Sequence, residues 1–358
     1  MYKYYFLLLA SLSFSSVGLA QGPRFGATVL GQALAYSESF TLKQVLDDLK
    51  GGEKPASGNK AFMKLKAGVE YTDGQHGYGV YVRREALVKH SQGAADFLYL
   101  DKNHYVFPDP GYFDIQIDVD DIHFQEYQYR YQWVLNERVT LTPGISLIYA
   151  DDLIKGRLNG HVSSANAFSG QEFSWDASLD YYYREDLLLD RPNVTEPVGY
   201  GYTSHLRLGW QLSPGIDLTA QVQDIVSAII WQDAPFTQAR SQVNGALSLR
   251  QPAVAGRVGY ERMVQTIDPH ISVEASLFLQ AGSFFSARSE SLFGQEFNYL
   301  GYLHRADDGQ VLVRACLETH ALELALSKQY LQLNIVTDSF DFNRAKHASL
   351  NLSAQMHF

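Results

Sequence analysis

The chain has 358 residues, of which 46% are hydrophobic, 13% aromatic and 19% charged, with a formal net charge of −10 at pH 7. That balance argues against binding nucleic acid or acidic lipid through broad surface electrostatics. A mean hydropathy of −0.18, with no run of about 20 apolar residues after residue 20, excludes a helical membrane protein but not a chain in which only alternate residues are apolar. A single cysteine, Cys316, excludes an internal disulfide and any metal site that needs two cysteines.

Residues 1–20 read as a secretory signal peptide: Lys3 supplies a positive charge, Phe6 to Val17 is mostly apolar, and Gly18-Leu19-Ala20 places small residues at the cleavage positions. Cleavage after Ala20 leaves Gln21 as the first mature residue, and no cysteine near it marks a lipoprotein. Residues 21–58 are expected to be an extension ahead of the main fold. Within it Leu42, Val45, Leu46 and Leu49 recur at helical spacing after a Thr41 cap and before Gly51-Gly52, which predicts one short amphipathic helix. Such an extension is either a periplasmic appendage, a helix lying on the barrel end, or a plug inside the lumen.

From residue 59 onward the pattern has period two. Met63, Leu65, Ala67, Val69 and Tyr71 share one side of residues 62–71; Tyr127, Tyr129, Tyr131, Trp133 and Leu135 do so in 127–135. Phe173, Trp175, Ala177, Leu179, Tyr181 and Tyr183 repeat the theme, followed by 206–212, 216–222, 243–249 and 271–279. Asn136-Glu137-Arg138 and Ser213-Pro214-Gly215 read as tight turns, whereas 91–111 and 186–203 read as long polar loops. Two-faced strands with short turns at one end and long loops at the other predict an all-β fold, a transmembrane antiparallel β-barrel over residues 59–358. The 338 residues left after removing 20 from 358, at roughly 24 per strand and connection, predict about 14 strands, within 12 to 16.

Parity assigns the polar face of each strand to the lumen. The candidate lumen-facing charges are Lys64, Lys66, Arg130, Asp176, Asp180, Arg207, Asp217 and Glu274, with Glu70, Arg83, Arg184 and His205 on the same side. Charges of mixed sign can line a pore for small polar solutes, or pair across a narrow lumen and fill it. Asp114, Asp118 and Asp120 lie on one face of a strand; they read as a solvated face or as part of a sheet continuing beyond the membrane, rather than as a cation ladder. Gly77 and Gly79 read as relief of crowding on a curved strand. No phosphate-cradling loop, metal-ligand cluster or cofactor motif stands out, so no cofactor is expected.

The closing stretch carries the clearest signal. Ala348, Leu350, Leu352, Ala354, Met356 and Phe358 are apolar, and His347, Ser349, Asn351, Ser353, Gln355 and His357 between them are polar. This strand resembles the C-terminal strand of bacterial outer-membrane β-barrel proteins, which ends in Phe. The resemblance implies the outer membrane of a Gram-negative bacterium, contact with its lipid, and recognition of this strand by the barrel-insertion machinery. A narrower resemblance, on Gly31-Gln32-Ala33-Leu34-Ala35-Tyr36-Ser37 and a hatch-sized extension, is to the long-chain fatty acid transporter family, in which an N-terminal hatch plugs the barrel; the Asn-Pro-Ala-type motif of that family is missing here. His347 and Ser349 have the spacing of an outer-membrane phospholipase dyad, but parity turns them into the lumen and the spacing recurs at His161 and Ser163 and at His270 and Ser272. The expected function is therefore a channel or transporter for a small solute, not an enzyme. The alternatives are a structural barrel accompanying a surface machine or polymer export, and a lipid-active enzyme.

Overall fold

β18 (His347–His357) keeps the two-sidedness of its sequence because its faces meet different surroundings. It pairs antiparallel with β17 (Leu331–Thr337) along one edge and with β1 (Phe25–Ser37) along the other, from Tyr36 opposite His347 to Gly26 opposite His357. β1 pairs in turn with β2 (Lys60–Asp73), so the sheet returns on itself and closes. This computed structural model describes residues 25–357 except 168–169, 187, 189–190, 192, 244–252, 281 and 307.

The wall continues through β3 (His76–His90), β4 (Gly111–Tyr131), β5 (Trp133–Asn136), β6 (Val139–Ala167), β7 (Gly170–Tyr183), β8 (Gly199–Ser213), β9 (Ile216–Gln223) and β10 (Ser227–Val243). It is completed by β11 (Ala253–Gln265), β12 (His270–Gln280), β13 (Ser283–Leu292), β14 (Gln295–Ala306), β15 (Gly309–Cys316) and β16 (Leu322–Lys328), leading into β17. Among the described residues, all 18 strands belong to one sheet. β4 and β5 are parted only by Gln132, and β9 and β10 only by residues 224–226, with β8 paired to both sides of that second break. Read through these two breaks, the wall has 16 strands among the described residues rather than about 14. The expectation fell short because β15, β16 and β17 have only seven or eight residues, well below the average length assumed. The strand expected at 243–249 lies, after Val243, outside the described residues, as does Phe358.

Tight connections at 74–75, 137–138, 214–215 and 329–330 share one end of the barrel with Phe25 and His357. The opposite end carries the longer segments 38–59, 91–110 and 338–346. Here the expected start of the barrel at residue 59 is corrected. Residues 25–37 belong to the wall as β1, so the region ahead of the barrel supplies no lumen plug from the 31–37 stretch that carried the transporter resemblance. The predicted helix is α1 (Leu42–Leu46), with the Thr41–Gln44 capping box in place, and it sits at the long-loop end. The loop expected at 91–111 contains α2 (Gln92–Lys102), and 199–203 of the second expected loop are strand.

α2 rests on the upper part of β4: Ala94 is buried with Phe107, Phe113 and Ile115, and Phe97 packs against them. β6 has 29 residues and β4 has 21, against the roughly 9–11 that suffice to cross a bilayer. Their upper halves, with β7 and the end of β10, form a sheet standing above the barrel.

Burial around the barrel is inverted relative to a water-soluble protein. On β6, Leu147 is 65% exposed and its neighbour Ser146 only 1%; on β16, Leu324 is 43% exposed and Glu323 1%. Tyrosines border the apolar belt. Tyr71, Tyr78 and Tyr129 cluster near the tight-turn end, and Tyr149 with Tyr200 lies toward the other.

Candidate functional site: the barrel interior

Inward-facing residues of β2, β3 and β4 build one network of paired charges. Arg83 lies at its centre, its guanidinium 2.5 Å from Glu85, 2.9 Å from Glu126 and 2.8 Å from Asp224. Asp224 reaches inward because the break between β9 and β10 puts it in the left-handed conformation, φ 56°. Thr203 and Ser146 hydroxyls donate to Asp224 and Glu126 at 2.9 and 2.7 Å. Lys64 lies 3.1 Å from Glu85, while Lys66 lies 3.7 Å from Glu126 and 3.6 Å over the Tyr81 ring. Tyr81 in turn donates to Glu70 at 2.7 Å, and Arg130 holds the second oxygen of Glu70 at 2.6 Å. A Cβ on Gly79 would stand 2.4 Å from the Tyr81 hydroxyl oxygen, so this glycine makes room for the ring.

A second network occupies the opposite wall. Arg288 lies 3.1 Å from Glu323, and Arg314 pairs with both Glu323 and Glu274. His270 contacts Glu290 at 2.7 Å, and the Asn334 amide donates to Glu323 at 2.8 Å. Buried ions of opposite sign offset one another's desolvation cost when they are also hydrogen-bonded, as these are. Both networks project into the interior and line the open space left there.

Beside the networks, and down to the tight-turn end, runs a vestibule. One cavity of about 760 Å³ runs from Pro214 and Gly309 at that end up to Leu292, Tyr299 and Val336. A second, of about 450 Å³, reaches from Gly74 and Gln75 to Glu126 and His205. Gln32, Arg207, Thr219, Gln221 and Gln223 line both. Above the first cavity an apolar cluster closes the interior: Tyr36, Phe62, Phe293, Phe297, Tyr299 and Leu292 pack together, with His347 4.8 Å from the Phe297 ring. Ser349 lines the cavity below, while His347 accepts from or donates to the Thr319 hydroxyl at 3.1 Å, so the two share the inward face but not one set of partners.

Of the residues picked by parity, Lys64, Lys66 and Arg130 belong to the first network, and Arg207, Asp217 and Glu274 line the vestibule. Asp176 and Asp180 are corrected. They lie on β7 in the upper sheet, where Arg240 and the Gln238 amide reach them, because parity gives a strand's face but not its height. Asp114, Asp118 and Asp120 lie on that sheet as well, the expected continuation beyond the barrel, with Arg157 2.7 Å from Asp118 and Lys155 on Asp120. Among the described residues no group of three or more His, Cys, Asp or Glu is placed to hold a metal ion. Glu85, Glu126, Arg288, Arg314 and Glu323 were legible by the same parity but not picked out; Asp224, in a strand break, had no periodic signal.

No family model matches the chain, and no curated protein matches it. Among solved structures it is similar to the Pseudomonas putida toluene transporter TodX at 10% identity and a TM-score of 0.45, over 94% of this chain and 89% of that one. It is similar to the Ralstonia pickettii toluene transporter TbuX at 10% identity and 0.43, over 94% and 90%. A more distant likeness is to the outer membrane protease OmpT from Escherichia coli, at 6% identity and 0.25, over 96% and 99%. The closed wall, its apolar outer belt with tyrosine borders and its charged interior mark the chain as a transmembrane β-barrel of the outer-membrane kind.

Proposed function

We propose that the barrel spans the outer membrane and passes a small polar solute through a gated lumen. The observation that supports this most is the vestibule: about 760 Å³, reaching the tight-turn end and lined by amides, hydroxyls and charges, ending under the Tyr36–Phe62–Phe297 cluster. An interior meant only to hold the wall together has no use for a wet cavity of ligand size. The aromatic cluster then acts as the gate between vestibule and long-loop end. On this reading the partners are outer-membrane lipid around the belt, the barrel-insertion machinery acting on β18, and the solute.

Recording from planar bilayers tests it. The wild-type barrel is expected to give brief, small steps, and Phe62→Ala with Phe297→Ala to give larger and longer ones. A barrel that remains silent in both forms, while showing the heat-modifiable mobility of a folded one, overturns the proposal. That outcome favours a structural barrel, a reading supported by the buried Arg83, Glu85, Glu126 and Asp224 network, which braces the wall from within.

A further inference from the structure

Arg207 stands apart from the other cations of the interior. Lys64, Lys66, Arg83, Arg130, Arg288 and Arg314 each lie against a carboxylate. Arg207 forms no hydrogen bond or ion pair with the described residues, although it carries five N–H donors in a rigid fork. It lines both cavities of the vestibule, so the fork faces open space. The charged groups within reach are Arg130, Glu70 and Glu274. Both oxygens of Glu70 are already engaged, by Tyr81 and Arg130, and Glu274 is held by Arg314.

The neighbours at the same height are neutral and hydrogen-bonding. Arg207 is opposite Thr142 on β6 and Gln221 on β9, and Gln221 is opposite Ser272 on β12. Gln32 and Gln223 extend this surface. Amides and hydroxyls of this kind donate and accept in turn, which matches the hydroxyls of a polyol. A guanidinium fork matches a carboxylate in two parallel hydrogen bonds.

We infer that the vestibule is a binding site for a carboxylated, polyhydroxylated solute, a sugar acid, with Arg207 taking its carboxylate and Gln221, Gln32 and Gln223 its hydroxyls. The inference rests on the reading of the vestibule as a solute compartment and narrows the solute class.

The test is titration of the full folded barrel in detergent micelles by saturation-transfer NMR, with galacturonate, galactose and acetate as probes. Galacturonate is expected to bind at least about tenfold more tightly than galactose, the margin a charge-assisted bidentate contact supplies, and at least about tenfold more tightly than acetate, which lacks the hydroxyls. Arg207→Gln is expected to remove that margin, so that galacturonate binds no more tightly than galactose. Arg207→Lys, which keeps the charge and loses the fork, is expected to fall between them. Heat-modifiable mobility establishes that each variant is folded. Equal binding of galactose and galacturonate, or an Arg207→Gln barrel that still prefers galacturonate, overturns the inference. Acetate binding as tightly as galacturonate overturns the polyol half of it. A barrel silent in bilayers that still selects galacturonate refutes passage and keeps the site; one that conducts without selecting refutes the site and keeps passage.

Discussion

Arg83 is the residue on which the first charge network depends. It is 2% exposed and touches three carboxylates, each of which has been drawn out of water. Replacing it with Met keeps much of the volume but leaves those carboxylates without their shared cation. Losing one partner of a buried ion pair costs about 3–5 kcal/mol. The urea midpoint of the barrel refolded in lipid vesicles is therefore expected to fall steeply in Arg83→Met, and much less in Arg83→Lys. An unchanged midpoint in Arg83→Met would mean that water already reaches and screens the network. At this scale, sequence parity identified which side chains face inward, since Lys64, Lys66, Arg83 and Arg130 all do. It could not identify partners, because pairing depends on register between strands far apart in the chain, as with Arg83 and Asp224.

Among the elements, α2 is the one whose anchoring is most local. The Ser91 hydroxyl accepts from the Ala94 amide at 3.1 Å, capping the helix, and also from the Gln116 amide at 3.1 Å while donating to the Asp114 carbonyl at 2.6 Å. One side chain thus both starts the helix and ties it to β4. Ser91→Ala is expected to cost about 1 kcal/mol locally and to raise the rate of proteolytic cleavage within 91–110, with the barrel still heat-modifiable; cleavage at the wild-type rate would refute this role. Two elements were hard to read from sequence for physical reasons. α2 contains Gly93 and has only a weak apolar stripe; its helicity depends on packing against Phe113 and Ile115. β1 puts Leu30, Leu34 and Tyr36 on its inward face opposite Val29, Ala33 and Ala35, because that face meets the apolar cluster, and a strand apolar on both faces loses its alternation. β18 and β2 kept theirs, one face being wet and the other apolar.

For the molecule as a whole, the inverted burial makes a quantitative demand on the outer surface. Leu324 on β16 lies outward between Leu322 and Leu326, in the apolar belt. Leu324→Arg is expected to destabilise the barrel in vesicles by about 2–4 kcal/mol, the cost of a cation near the bilayer midplane. Ser353→Arg, on the inward face of β18 beside the vestibule, is expected to cost far less. Similar losses for the two in reversible urea unfolding would argue against the belt. The general architecture was legible because a bilayer outside and water inside impose period two on most strands; heights, breaks and lids were not, since no local pattern encodes them.

The pairing of β1 with β18 also sets an order of events. Gly26 and His357 stand side by side, with nearly the whole chain between them. Closing so long a loop is entropically unfavourable, so the local hairpins such as β2–β3 and β16–β17 are expected to zip first and the seam last. Until then β1 and β18 each present an unpaired row of backbone donors and acceptors, open to pairing with another copy or another protein. The strand that most clearly announces the fold is thus also the one that must be shielded longest while the ring is still open.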